Sequence, residues 1–307
     1  MSSKLSRASG HPAGGGQQAG QVGRQSASQD VTPQLRQWIA EHVRAGTPPA
    51  QIVEGMVGVG WDTALAWRAL AEVQAERDAA GRSGQAAAGG ALPEPDIADG
   101  RSVLEVEGRI VKVAVAVRHP RVVVFEGLLG ADECQALVAL AGPRLSRSET
   151  VDNARGGSEV NAARTSDGMF FARGETPLIA RIESRIAALL RWPLGHGEGI
   201  QVLRYRPGAE YQPHHDYFDP AHPGSHPVLQ RGGQRVGTLV MYLQAPQRGG
   251  STTFPAIGLE VAPVAGNAVF FSYDRPHPST GTLHGGAPVL EGEKWVATKW
   301  LREREFI

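Results

Sequence analysis

The sequence predicts a mainly β fold with a helical buttress, a jelly roll or β-sandwich, preceded by a small three-helix module. Three observations carry this. From residue 200 onward, short β-rich segments recur between turn residues. Two segments with helical spacing come just before them. A stretch of Ala, Gly and Pro at 79–96 separates all of this from three earlier helical patterns. At 307 residues the chain is sized for about two domains.

Residues 1–31 are rich in Gly, Gln and Ser without apolar periodicity, and are expected to be disordered because they bury too little to offset their ordering entropy. The three-helix module spans 32–78. Thr32-Pro33 and Thr47-Pro48 read as an N-cap followed by an N1 proline, and a third helix begins after Trp61-Asp62. The module holds no catalytic constellation, reads as a packing or assembly element, and is expected to be dispensable for chemistry. The linker 79–96 follows, then a domain over 97–307. In it, 111–117 and 121–125 read as strands, 129–141 and 176–190 as helices. The remaining strands are expected at 200–205, 236–243, 259–261, 268–271 and 295–301.

Composition narrows the function. The 31 basic residues balance the 31 acidic ones, which argues against a nucleic-acid coat or a polybasic membrane anchor. The one cysteine, Cys134, excludes an intramolecular disulfide framework and a cysteine-built zinc site. Neither a secretory signal nor a membrane-spanning apolar run is read, so a cytoplasmic location is expected, with no nucleic-acid and no membrane partner.

The chemistry is sought among the histidines. Tyr211-Gln-Pro-His214-His215-Asp216-Tyr217-Phe218 contains His-x-Asp. In an extended strand residues i and i+2 share a side, so His214 and Asp216 can meet one ion while His215 points away. His284, seventy positions downstream of His214, is the candidate third ligand. Two histidines and one carboxylate with open positions describe the facial triad of non-haem Fe(II) oxygenases. Lys294 follows His284 by ten residues, in a chain with four lysines. Inside a barrel its ammonium could pair with the far carboxylate of a metal-chelating dicarboxylate, since a buried lysine requires an anion or loses its proton.

Residues from about 122 to the C-terminus resemble the catalytic domain of prolyl 4-hydroxylases, Fe(II)- and 2-oxoglutarate-dependent dioxygenases with a double-stranded β-helix. The motifs occur in the family's order: Arg164-Thr-Ser, Glu198-Gly-Ile-Gln-Val-Leu-Arg-Tyr205, the Tyr211–Phe218 block, and Arg235–Leu243. Gly249–Pro255, Pro263–Phe271, His284–Val289 and Gly292–Trp300 complete the set. The resemblance implies iron ligation by His214, Asp216 and His284. It implies Lys294 on the 2-oxoglutarate C5 carboxylate, and Tyr205 and Thr252 lining the cosubstrate. Arg164, Glu198, Tyr211, Arg235 and Trp300 match positions that shape the peptide groove. The implied cofactors and cosubstrates are Fe2+, 2-oxoglutarate, O2 and L-ascorbate. The implied partner is a protein or peptide containing proline, and nothing implies a disulfide-isomerase partner. The reaction would hydroxylate a peptidyl proline while 2-oxoglutarate becomes succinate and CO2. Two rivals remain: an oxygenase of the same class acting on another residue or a small molecule, and a non-catalytic peptide-binding or oxygen-sensing module.

There are departures. The family's His-Ala-Gly-Cys-Pro-Val is His284-Gly-Gly-Ala-Pro-Val here. His215 stands where an aromatic residue is common, and is expected to face solvent. The loop 219–233 is longer than the core motif needs. The segment 148–164, rich in Gly, Asn and Ser, is expected to act as a lid.

Overall fold

In the computed structural model the described residues are 31–44, 47–81, 92–148, 150–151, 158–159 and 165–307. The N-terminus expected to be disordered, residues 82–91 of the linker, Arg164, and most of the expected lid lie outside them.

Three helices open the chain: α1 (Pro33–Arg44), α2 (Pro49–Gly58) and α3 (Thr63–Gly81). Their starts follow the chemistry of their caps. Thr32 Oγ1 accepts from the Leu35 amide, and Asp62 Oδ1 accepts from the amides of Ala64 and Leu65. The second helix begins one residue later than expected. Pro48 precedes Pro49, and a residue before proline is driven out of the α region; its ψ is 137°. Ile39, Ile52, Val53, Met56, Trp67 and Leu70 form the module's core.

The larger part follows in the order β1 (Val103–Val106), β2 (Arg109–Val117), β3 (Arg121–Glu126), α4 (Ala131–Ala141), β4 (Ser146–Arg147), β5 (Thr150–Val151), β6 (Ser158–Glu159), β7 (Asp167–Phe170) and α5 (Pro177–Leu190). Then come β8 (Gln201–Tyr205), β9 (Tyr211–His214), α6 (His226–Gln230), β10 (Arg235–Gln244), β11 (Arg248–Gly249), β12 (Thr252–Phe254) and β13 (Leu259–Val261). The chain closes with β14 (Ala268–Ser272), β15 (His284–Gly286), β16 (Val289–Glu291) and β17 (Lys294–Arg302). Nine strands form the major sheet in the order β1-β2-β3-β14-β10-β17-β8-β7-β4, and four form the minor sheet, β13-β12-β15-β9. Every pairing in both sheets is antiparallel.

The major sheet is covered on both faces, which explains its near-continuous apolar strands. Along β3, Val122 and Val124 face the inter-sheet core while Val123 and Phe125 face the core under the helices. The alternation repeats in β14, where Val269 and Phe271 point one way and Ala268 and Phe270 the other. Between the sheets these side chains meet Phe254 and Val261 of the minor sheet. On the outer face lie Leu137 of α4 and Ile179, Ile182, Ile186 and Leu189 of α5. Arg185 ties the two helices together through paired 2.8 Å bonds to the buried Glu133 carboxylate. The result is the expected double-stranded β-helix with a helical buttress. No helix among the described residues is long and apolar enough to cross a membrane.

The expected linker is not uniform. Its last residues are packed on the β domain: the Glu94 amide donates to the Leu190 carbonyl at 2.9 Å, and the Glu94 carboxylate pairs with Arg121. Leu92 joins the core under the helices. The third helix also runs to Gly81, past the expected boundary at 78.

Candidate active site

His214 ends β9, His284 begins β15, and the two are register partners in that ladder. Asp216 comes next to them by a different route from the expected one. The strand stops at His214, and a bend rather than strand alternation carries the carboxylate to the same side. His214 Nε2 lies 3.5 Å from Asp216 Oδ1, and His284 Nε2 lies 3.5 Å from Asp216 Oδ2. One ligand atom from each of the three residues falls within 4.8 Å of the others. Gly285 permits the close pairing of β15 with β9, since a Cβ there would meet the Tyr211 carbonyl oxygen at 2.9 Å.

Each imidazole is oriented from behind. His214 Nδ1 lies 2.9 Å from the Gln212 carbonyl, and His284 Nδ1 lies 3.0 Å from that of Thr282. With the proton on Nδ1, both Nε2 lone pairs face the gap, the arrangement a metal-binding histidine needs. Burial pushes the His284 pKa down to about 4, against the opposing pull of Asp216. Burial works against ionisation of Asp216, but His284, His214 and Arg235 together hold its carboxyl well below the usual range. Thr238 Oγ1 donates to Asp216 Oδ2 at 2.7 Å and lies 3.1 Å from the Tyr273 hydroxyl. Two imidazoles and an ionised carboxylate, open on one side, fit a ferrous ion.

That open side gives onto a cleft lined in addition by Tyr205, Tyr211, Thr252, Lys294 and Trp300. Lys294 is 4% exposed, and burial alone pushes its pKa down to about 8. Among the described residues no carboxylate pairs with it; its Nζ lies 5.4 Å from the Tyr205 ring and 6.0 Å from the Tyr242 ring. The Tyr242 hydroxyl donates to Thr252 Oγ1 at 2.8 Å. Thr252 therefore keeps its own proton available to a cleft ligand. The cleft thus joins a three-ligand metal cradle to a buried cation and a hydroxyl donor.

Eight of the residues singled out in the sequence line this one cleft: His214, Asp216, His284, Lys294, Tyr205, Thr252, Tyr211 and Trp300. Glu198 and Arg235 do not line it. Arg235 makes two bonds of 2.7 and 3.0 Å to the Glu198 carboxylate, which also accepts from Arg302 at 2.9 Å. Two guanidinium groups this deep need a carboxylate, so the three charges close on one another instead of facing a groove. The Arg235 guanidinium lies 3.9 Å from the Trp300 ring centre and donates to the Asp216 carbonyl at 3.3 Å. Its visible work is to brace the cleft wall and a ligand's backbone.

His215 differs from expectation as well. Its ring lies 4.8 Å from that of Tyr217, and its Nε2 is shielded from solvent with no hydrogen-bond partner among the described residues. The supporting hydroxyls of Thr238, Tyr242 and Tyr273 were not singled out from sequence. They sit in β-rich runs where apolar neighbours mask them, and no local pattern marks them.

Residues 200–302 match the family model of the 2OG-Fe(II) oxygenase superfamily. The chain is 42% identical over 211 residues to prolyl 4-hydroxylase 1 of Arabidopsis thaliana, covering 63% of this chain and 73% of that one. With probable prolyl 4-hydroxylase 3 of the same plant it shares 38% over 209 residues, covering 61% and 71% respectively. The chain belongs to the prolyl 4-hydroxylase family. Among solved structures, the viral collagen prolyl hydroxylase of Paramecium bursaria Chlorella virus-1 is similar at 29% identity and a TM-score of 0.46, covering 59% of this chain and 95% of that one. A Pseudomonas putida prolyl-4-hydroxylase gives 24% identity and a TM-score of 0.41, with 60% and 92% covered. Membership in the prolyl 4-hydroxylase family makes the chain a 2-oxoglutarate-dependent dioxygenase, and the metal cradle and the cleft lie inside the matched region.

Proposed function

We propose that this chain hydroxylates a peptidyl proline, with Fe(II) held by His214, Asp216 and His284 and 2-oxoglutarate lying in the cleft. The observation that carries this reading is the convergence of three ligands on a cleft that also holds the buried Lys294, which pairs with no carboxylate among the described residues. Iron, when bound, supplies the activation of O2 that couples decarboxylation of 2-oxoglutarate to succinate and CO2 with insertion of oxygen into an unactivated C–H bond.

The residues of the chain bind and exclude. Lys294 pairs with the C5 carboxylate, a contact strengthened by the low local dielectric. Thr252 donates to the same ligand, and the Tyr205 ring closes the cleft beside it. Tyr211 stacks on His214, ring centres 3.7 Å apart, and with Trp300 forms the wall nearest an incoming peptide. Glu198 and Arg235 act indirectly, by fixing Trp300. L-ascorbate as the reductant that restores ferrous iron, and a cytoplasmic site of action, belong to the same reading. The first rests on the family, the second on the single cysteine.

The test is mass spectrometry on proline-containing peptides incubated with enzyme, Fe(II), 2-oxoglutarate and O2. A +O product on proline, lost in matched peptides with alanine at that position, is the expected result. Turnover of 2-oxoglutarate without any proline product would favour an oxygenase of another substrate. Absence of turnover altogether would favour the binding module.

A further inference from the structure

The three-helix module is not held only by its tether. Its apolar core contains one residue from outside it, Leu283, which is 6% exposed. The next residue is His284. Along this segment the side chains alternate: Leu283 joins the module, while His284 turns into the barrel toward Phe271 and Asp216. Thr282, whose carbonyl accepts from His284 Nδ1, is 1% exposed, and its hydroxyl lies 2.9 Å from that of Thr280. Helix α3 also packs on two short turns of the β domain, 255–257 and 278–280. The first follows the strand that carries Thr252, and the second leads into Leu283 and His284.

We propose that the module is a positioning element for the metal centre, seating Leu283 and thereby fixing the backbone from which His284 reaches the ion. The inference rests on the reading of His214, Asp216 and His284 as metal ligands. Leu283 is a positioning residue and touches neither metal nor substrate. A side chain anchored at i−1 restricts the peptide plane that sets the direction of the ligand at i, and the Thr282 carbonyl on the other side sets its tautomer. Loosening either lets the imidazole rotate away from the productive direction. Outer-shell changes of this kind typically cost about 10–100-fold in metal affinity. Helices that sequence reasoning set apart from the chemistry are therefore part of the scaffold of one ligand.

The experiment titrates Co(II) into the full-length protein and follows its visible absorption, which reports coordination geometry without needing turnover. Leu283→Ala and, within the module, Leu70→Ala are compared with wild type, His284→Ala and the volume-conserving Leu283→Met. Leu283→Ala and Leu70→Ala should each raise the Co(II) dissociation constant about tenfold and alter the spectrum, with Leu283→Met close to wild type. Circular dichroism establishes which variants are folded, and Leu283→Val replaces Leu283→Ala if the latter is not. Folded Leu283 variants with wild-type affinity and spectrum would overturn the inference. An effect of Leu283→Ala without one of Leu70→Ala would overturn the role of the module. A His284→Ala protein that binds Co(II) like wild type would instead overturn the ligand assignment beneath both.

Discussion

Lys294 stands opposite Tyr205 in the β17–β8 ladder, with its ammonium nitrogen 5.4 Å from the centre of that ring. The pair forms one wall of the cleft, and among the described residues no carboxylate pairs with the cation. On the proposed reading, replacing Lys294 with Ala removes a charge-assisted contact to 2-oxoglutarate of about 1.5–3 kcal/mol. The expected outcome is 2-oxoglutarate binding weakened roughly tenfold to a hundredfold, with Co(II) binding retained. Calorimetric titration of 2-oxoglutarate into the metal-loaded variant measures this; equal affinities would place the cosubstrate elsewhere. Arginine should not restore binding, because its planar fork needs other geometry.

The same lysine imposes a pH dependence. Its folded pKa, about 8, lies below the ordinary value, which is about 10.4 in unfolded chains. Between the two, the unfolded chain binds more protons, so stability rises with pH. The burial penalty is fully present below about pH 8 and is relieved as pH climbs from about 8 to about 10. Denaturation of wild type and Lys294→Met across this range, without 2-oxoglutarate, should show the steeper rise in wild type. Parallel profiles would mean that the ammonium is solvated.

Thr238 connects the carboxylate ligand to Tyr273, and it is fully buried. Thr238→Val keeps the shape and removes the donor at 2.7 Å from Asp216. Metal affinity should fall about 10–100-fold while the fold is retained. Competition with a chromogenic chelator reads the change directly.

Lys299, five residues further along β17, is no neutral comparison for Lys294. Its ammonium lies 2.5 Å from Glu183 and also donates to the Glu198 carbonyl, and it is 2% exposed. Truncating one partner of a buried pair leaves the other charge uncompensated. Lys299→Ala should therefore destabilise the domain by about 3–5 kcal/mol. Lys299→Met combined with Glu183→Gln should recover much of that loss, as urea denaturation would show.

The two buried lysines mark where sequence reasoning stops. The candidate metal ligands could be named from sequence because His214 and Asp216 lie two residues apart and His284 belongs to an ordered motif set. The strands were legible where both faces are buried, since a run such as Val122–Phe125 carries its own signal. Not every short strand was: β15 and β16 have three residues each, and their pairing is set by the barrel rather than by local preference. Nor does a sequence show which charges share a pocket. Glu183 and Lys299 are 116 residues apart, and Glu198 and Arg302 are 104 apart. Read locally, Glu183, Lys299 and Arg302 are ordinary surface charges, and Glu198 and Arg235 look like groove residues until Arg302 joins them. His215 failed expectation for a related reason: its surroundings are set by the bend after β9, where strand alternation no longer applies.

Cys134 lies buried on α4, with its thiol 3.8 Å from the Tyr242 carbonyl, and burial pushes that thiol's pKa up. It is the chain's one cysteine. Oxidation and alkylation proceed through an accessible thiolate. The folded protein therefore offers no handle for glutathionylation, covalent dimerisation or peroxide sensing. A cysteine introduced at an exposed position would be the single site to take a thiol-directed fluorophore, with no background from the native residue.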